Sequence, residues 1–482
     1  MGGLAHSACA AAPNKNVRAY LLPGLALLLA LCPPVAFAQA PPCPAPPPYK
    51  YLRYDEDYSY LRHAVCNTDP FDKVKFIPLN SDGDVYLSFG GEIRQNVEYF
   101  HNAQWGNGPQ GPAYSLQRYM GHLDFHWGDR FRFFGQMKSG LEFGRAGGPR
   151  VFDKDELAVN QAFVDVGISH TEKASLIFRA GRQELAYGAT RLVSVREGPT
   201  VHQSFDAARA IVIVDEWRVD AFLSKPAETH VGVFDDHTDP TRAFWGVYAT
   251  GPLQKPKSHI DLYYFGLRHS DARFQQGTAF ERRQILGTRI WGSGGAWDYD
   301  VEPVTQFGTF GSGHIQAWAI ESETGYTLNQ LRFSPRFAMV ASADSGDHNT
   351  QDPSLQTFNP LFPRGLYHEL VNLTGHANIV ALNPVATTHF TKELSVTENW
   401  EFIWRQSLAD GIYGVGGNFV RAGQSGDGRY IGSQPTTVVN WAIQRHLALI
   451  FIYTHFFPGP FLENTGPHGS VDQISAWLDF KF

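Results

Sequence analysis

The chain has 482 residues, 43% hydrophobic and 14% aromatic, with a formal charge of −7. That length suits several soluble domains or one large barrel, and 47 Gly with 30 Pro indicate many turns and a sheet protein rather than a helical bundle. The absence of a basic domain and of a phosphate-cradling glycine loop excludes a nucleic-acid-binding class.

Residues 1–38 read as a secretory signal. Lys15 and Arg18 are the only formal charges, Ala19 to Leu31 is apolar, and Ala36-Phe37-Ala38 is a small-x-small cleavage site before Gln39. The apolar run is short for a membrane anchor, and Leu31 is too large to precede a lipidated Cys32. Beyond the signal no run reaches about 18 apolar residues, so no transmembrane helix is expected. An exported chain of that kind is either soluble or a barrel.

Residues 39–84 read as a short periplasmic extension, opened by the proline-rich linker Pro41 to Pro48. Cys43 and Cys66 remain after cleavage, and an oxidising compartment allows a disulfide between them.

From Val85 the pattern becomes period-2 alternation broken by Gly, Asn, Asp and Pro. In Val85–Tyr99, Phe89, Ile93, Val97 and Tyr99 oppose Ser88, Glu92, Arg94, Asn96 and Glu98. In Arg118–Trp127, Tyr119, Leu123, Phe125 and Trp127 oppose Arg118, His122, Asp124 and His126. In Arg130–Phe143, Phe131, Phe133, Met137 and Phe143 oppose Arg132, Gln136, Lys138 and Glu142. A soluble sandwich also alternates. Three features favour a membrane wall: strands of about 10 residues or more, full charges on the polar face, and aromatics at strand ends (Tyr99, Trp127, Phe143, Trp291, Trp297). In lipid, backbone groups find no water, so such a sheet must close on itself.

Connections give an independent test. Phe100 to Ala113 is long, Gly128-Asp129 short, Gly144 to Glu156 long, Ser169 to Ser175 short, Gln183 to Ala208 long, and Asp215-Glu216 short. Bacterial barrels alternate in this way. Later strands fall near 243–250, 259–268, 283–291, 297–307, 314–327, 334–343, 376–384, 393–406, 436–443, 447–456 and 471–482. The expected fold is all-β, a transmembrane antiparallel barrel of about 18 strands over residues 85–482. In the last strand Ile474, Ala476, Leu478, Phe480 and Phe482 share one face, and a terminal Phe482 suits recognition by the barrel-assembly machinery.

The chain resembles the alginate-export family of outer-membrane proteins. The residues that carry the likeness are Arg53-Tyr54-Asp55-Glu56-Asp57, Lys75-Phe76-Ile77-Pro78-Leu79, Leu87-Ser88-Phe89-Gly90-Gly91-Glu92 with Arg94, Gly181-Arg182-Gln183-Glu184-Leu185, Tyr187-Gly188, Arg191-Leu192-Val193-Ser194 and Ser204-Phe205-Asp206. The resemblance implies an 18-stranded barrel in the bacterial outer membrane whose type member exports a polyuronate through an arginine-lined pore. This chain departs from that picture by placing many acidic residues on the inner face.

Of 40 basic residues, 28 are arginine, whose planar fork pairs bidentately with carboxylates and keeps its proton. The candidate solute path is Glu92, Arg94, Arg118, Asp124, Arg132, Lys138 and Arg179 on the wall, with Arg182, Arg191 and Arg196 at or beyond the fifth strand. That last segment is long enough to fold into the pore and narrow it. For any single arginine, a structural pair with Glu92, Asp124 or Glu142 competes with a solute contact. The expected function is passive passage of an anionic polar solute such as a uronate oligosaccharide or alginate; an unspecific porin is the alternative. No cofactor is implied. The enzyme reading, an outer-membrane hydrolase, is not favoured: Gly423-Gln424-Ser425-Gly426-Asp427 lacks the final glycine of a nucleophile elbow, and His368-Glu369-Leu370-Val371-Asn372 has no second histidine. The acidic loops Asp344 to Asn349 and Asp235 to Asp239 read as ordinary solvated loops, and the 19 histidines show no metal-ligand spacing.

Overall fold

The computed structural model describes residues 43, 46–63, 66–171, 173–254, 257–364 and 373–482. The export signal and the segment His368 to Asn372 lie outside the described residues. Two units are distinguished, Met1–Pro44 and Ala45–Phe482. Of the first only Cys43 is described; Cys43 and, in the second unit, Cys66 are each disulfide-bonded.

The unit from Ala45 is built on eighteen long strands. They are β1 (Val85–His101), β2 (Tyr114–Trp127), β3 (Phe131–Phe143), β4 (Asp155–His170), β5 (Ala174–Gln183) and β6 (Phe205–Val214). Then come β7 (Trp217–Glu228), β8 (Arg242–Gln254), β9 (Ser258–Phe274), β10 (Gly277–Gly294), β11 (Trp297–Phe310) and β12 (Gly313–Thr327). The last are β13 (Arg336–Asp344), β14 (Ile379–His389), β15 (Leu394–Arg405), β16 (Tyr430–Gln444), β17 (Leu447–Pro458) and β18 (Val471–Lys481). Each pairs antiparallel with its neighbours in sequence. β1 closes the ring, pairing with β2 through Val85↔Trp127 and with β18 through Ile93↔Phe480. Closure leaves no unpaired edge, which a wall in hydrocarbon requires.

Alternation sorts the two faces as the sequence pattern predicts. Phe89, Ile93, Val97, Phe133, Leu286, Trp318 and Leu478 are exposed on the outside, while Glu92, Arg94, Arg118, His122, Asp124, Gln136 and Lys138 are buried inside. Among the outward aromatics, Trp127, Trp217 and Trp297 each adjoin a short turn. Trp291 departs from expectation. It shares parity with Arg289, so it points inward, stacks on His259 at 4.3 Å and donates its indole N–H to Asp261 at 3.4 Å.

Turns at one end are short, apart from the eight-residue connection 328–335. Asp215-Glu216 joins β6 to β7 with Asp215 at φ 51°, the left-handed backbone that a two-residue hairpin needs. Arg130 belongs to the turn, not to β3. The opposite end carries the long connections 102–113, 144–154, 184–204, 229–241, 345–378, 406–429 and 459–470, and tight turns at 275–276 and 311–312 interrupt that rule. β14 begins at Ile379, three residues after the expected start, because the chain up to Asn378 is held in a loop by the bonds from Asn378 Nδ2 to the Ser407 and Gly411 carbonyls.

Candidate solute path

The inner wall is a ladder of ion pairs. Directly opposed residues are on the same face of a sheet, so a charge on one strand meets its neighbour's side chain at close range. Arg94 and Asp479 are such register partners, joined by a bidentate pair at 2.6 and 2.9 Å. Arg118 donates to Glu92 at 3.0 Å. Arg132 grips Asp124 at 2.8 and 2.7 Å, and Arg179 grips Asp165 at 2.7 and 2.8 Å. Lys138 lies 3.1 Å from both Asp155 and Asp236. Arg182 pairs with Asp206 at 2.8 Å. Arg191 reaches across the interior to Asp300 and Glu302 at 2.9 and 2.7 Å. Nine of the ten sequence candidates are therefore engaged in charge pairs.

Two segments fill the space inside. From the long-loop end, residues 184–204 turn inward and deliver Glu197 to both Arg94 and Arg118. Arg118 is further saturated by the carbonyls of Thr200, Glu197 and Pro199 at 3.0, 2.8 and 2.5 Å. Burial opposes ionisation of Glu197, but the two guanidinium groups hold its carboxyl well below the usual range. His202 bridges the same loop, with Nδ1 2.7 Å from Glu184 and Nε2 2.9 Å from Glu197. Burial and Arg118 oppose its protonation, yet these two carboxylates carry its pKa above the ordinary value.

From the short-turn end the extension before β1 enters as a second filler. Arg53 donates to the carbonyls of Gly91 and Phe482 at 3.1 and 2.8 Å. The Tyr54 carbonyl accepts from Arg132 at 2.5 Å, and its hydroxyl donates to the Glu184 carbonyl at 2.9 Å. Its ring meets Phe163 edge-on at 5.4 Å and lies under the Arg179 guanidinium at 4.3 Å. Leu52 and Tyr54 share an apolar cluster with Phe134, Phe163 and Val195, so the extension and the inward loop meet each other inside the barrel. Lys75, buried beside Tyr58 at 4.7 Å, anchors the rest of the segment.

At the long-loop end a cavity of about 730 Å³ remains. Arg145, Arg150, Arg196 and Arg421 line it against Glu98 and Asp153, a surplus of positive charge, and Trp105, Tyr114 and Trp477 add flat apolar faces. Arg196 differs from the other candidates. Among the described residues it has no carboxylate partner. Its backbone sits at φ 59°, a left-handed conformation that is rare outside glycine and concentrates at functional sites. Burial and the nearby Arg242 lower its pKa to about 10, so it stays charged at neutral pH.

Sequence reasoning missed Glu197, Arg145, Arg150 and Arg421, which lie in connections where period-2 alternation assigns no face. It also missed that the fold gathers Glu228, His230 and His237. Asp344 is buried against His376, and Asp347 is buried with its amide donating to Asp410, which Thr357 also reaches, so neither is solvated.

The sequence model of the alginate-export family matches residues 85–474. No curated protein matches the chain. Among solved structures, OpdK of Pseudomonas aeruginosa superposes with a TM-score of 0.57 at 9% identity, covering 82% of this chain and 99% of that one. OpdK with vanillate gives 0.53 at 10%, covering 82% and 98%. A BenF-like porin from Pseudomonas fluorescens Pf-5 gives 0.54 at 8%, covering 83% and 98%. These likenesses establish a shared barrel fold. Family and fold are those of channel proteins.

Proposed function

The chain belongs to the alginate-export family and is a channel of the bacterial outer membrane; from that premise we propose that it passes an anionic, carboxylate-bearing solute by diffusion, without catalysis. The short turns then face the periplasm and the long loops the outside. The observation that carries the reading is Arg196, a charged side chain with no carboxylate partner among the described residues, on the wall of an arginine-rich vestibule. A solute carboxylate supplies the counter-charge that the fold withholds, and the forked guanidinium suits it. Trp105 and Tyr114, buried beneath Arg421 and Arg145, hold those guanidinium groups at the vestibule wall. Binding of this kind stays weak and multi-site, so solute can leave. The wall residues Glu92, Arg94, Arg118, Asp124, Arg132, Lys138 and Arg179 act on the path indirectly, by holding inward segments and loops; Arg191 seats the inward loop on Asp300 and Glu302, and Arg182 ties two wall strands through Asp206. The assembly machinery reads β18, whose Ile474 and Leu478 face outward.

The test is single-channel recording in planar bilayers. Oligouronates should interrupt the current at lower concentration than neutral oligosaccharides of equal length, and Arg196→Gln should narrow that difference and shift the reversal potential toward neutrality. Equal block by both sugars, or an Arg196→Gln channel with wild-type selectivity, would overturn the reading.

A further inference from the structure

The connection between β7 and β8, residues 229–241, returns on itself as a small hairpin. His237 and Thr238 pair antiparallel with the end of β7, in the register Ala227↔Thr238 and Glu228↔His237. Register partners project from the same face of a ladder, and so do residues two apart along an extended strand. Glu228 and His237 are thus placed on one side by backbone geometry, and His230, just past the end of β7, comes to the same side although His237 is seven positions from it in sequence.

Side-chain positions fulfil that placement. The two imidazoles stack with centroids 4.5 Å apart and planes 21° from parallel. Their Nε2 atoms turn toward the two oxygens of one carboxylate: His237 Nε2 is 3.4 Å from Glu228 Oε2, and His230 Nε2 is 3.9 Å from Oε1. The three ligand atoms lie within 4.8 Å of one another. In a tetrahedral zinc site with bonds near 2.0–2.2 Å, ligand atoms stand roughly 3.3–3.5 Å apart. The His237 nitrogen already stands at that spacing from a Glu228 oxygen, and the widest pair, within 4.8 Å, closes by no more than about 1.5 Å.

One further observation points to a ligand. His230 Nε2 is shielded from solvent and has no hydrogen-bond partner, an arrangement that disfavours a polar atom unless something else engages it. The hairpin is also held from behind. The His230 amide donates to Asp236 at 2.8 Å, and the Gly232 amide donates to Asp235 at 3.0 Å. His237 Nδ1 faces the Asp235 carbonyl at 3.5 Å, the kind of outer contact that leaves Nε2 as the coordinating nitrogen. Asp236 meanwhile ties the loop to Lys138 on the wall.

We propose that Glu228, His230 and His237 form a binding site for a first-row divalent ion of the zinc class at the outer mouth of the barrel. Two imidazoles and one carboxylate suit zinc and exclude the oxygen-seeking calcium and magnesium. Three protein ligands leave a fourth position open to water or to an incoming carboxylate. A bound ion staples the end of β7 to the returning strand and so fixes Asp236 against Lys138.

The test uses the full chain in detergent micelles, titrated with zinc chloride against a competing zinc-chelating dye. One more zinc per chain should bind in the wild type than in a His230→Ala/His237→Ala variant, and Glu228→Gln should weaken that site by about tenfold or more. Calcium in excess should not displace the ion. Heat-modified gel mobility confirms that each variant retains its barrel, and a folded Glu228→Gln channel keeps the test decisive if the double variant fails to fold. Zinc isotherms that coincide in wild type and variants, displacement by calcium, or no zinc bound by the wild type would each overturn the proposal.

Discussion

Arg94 and Arg118 stand directly opposite each other on β1 and β2, two like charges on one face of the sheet. Opposed like charges destabilise a strand pair, and here the carboxylate of Glu197, carried by the loop between β5 and β6, stands in reach of both. Arg94 also holds Asp479 and Arg118 also holds Glu92, so Glu197 is the carboxylate that the two guanidinium groups share, and it ties the loop to the wall.

Removing that charge should release the loop. Glu197→Gln removes the counter-ion that the facing guanidinium groups share, while each keeps its wall carboxylate, at a cost of about 3–5 kcal/mol for breaking a buried pair. Single-channel conductance and anion preference should both rise, and the melting temperature should fall. Wild-type conductance and selectivity in this variant would show that the loop is held elsewhere.

The loop should also respond to pH, with opposite signs at its two titrating groups. The pKa of His202 is raised, so its contribution is complete below the ordinary imidazole value of about 6.5 and fades as pH rises through the folded value. That of Glu197 is lowered, so its contribution is present above about 4.3 and fades only as pH falls through the folded value. The loop is seated most firmly between those limits. Conductance should be lowest there and rise toward alkaline pH, and His202→Gln should abolish the alkaline rise. A flat wild-type profile from pH 5 to 9 would contradict this account.

Tyr54 pins the extension in the interior through its carbonyl, its hydroxyl and its ring. Tyr54→Ala should cost about 3–5 kcal/mol of docking, the range for losing a buried aromatic. Strand pairing in the barrel does not involve the residue, so heat-modified gel mobility should be unchanged while conductance increases and protease cleaves within residues 46–62. Persistent protection of that segment would assign the anchoring to Arg53 instead.

Leu286 faces outward in the middle of β10 and is 46% exposed on the outer surface. In lipid that face is dry. Leu286→Arg should lower folding stability by about 2–4 kcal/mol, as a charge at the bilayer midplane does. Denaturant titration of refolding into phospholipid vesicles measures this; a cost near zero would place Leu286 in water.

What the sequence determines by itself is the wall. Side chains alternate every residue along a strand, so a run such as Val85–Tyr99, mostly apolar on one face and mostly polar or charged on the other, separates two solvents, and with no water for edge groups the sheet must close. Strand order, the tight turn at Asp215-Glu216 and the inward set from Glu92 to Lys138 follow from that rule alone. Which charges meet is decided by closure and by loops, for which sequence distance carries no information. Arg94 and Asp479 are 385 positions apart, yet become neighbours because the first strand pairs with the last. Trp291 turns inward because its parity is that of Arg289. Adjacent residues Arg196 and Glu197 are sent in different directions, one to the vestibule and one to the wall, by a left-handed backbone that no periodicity encodes. His230 and His237 meet over Glu228 only through the register of a two-residue ladder. Local alternation is a property of the chain; the pairing of its charges belongs to the closed surface that the chain makes.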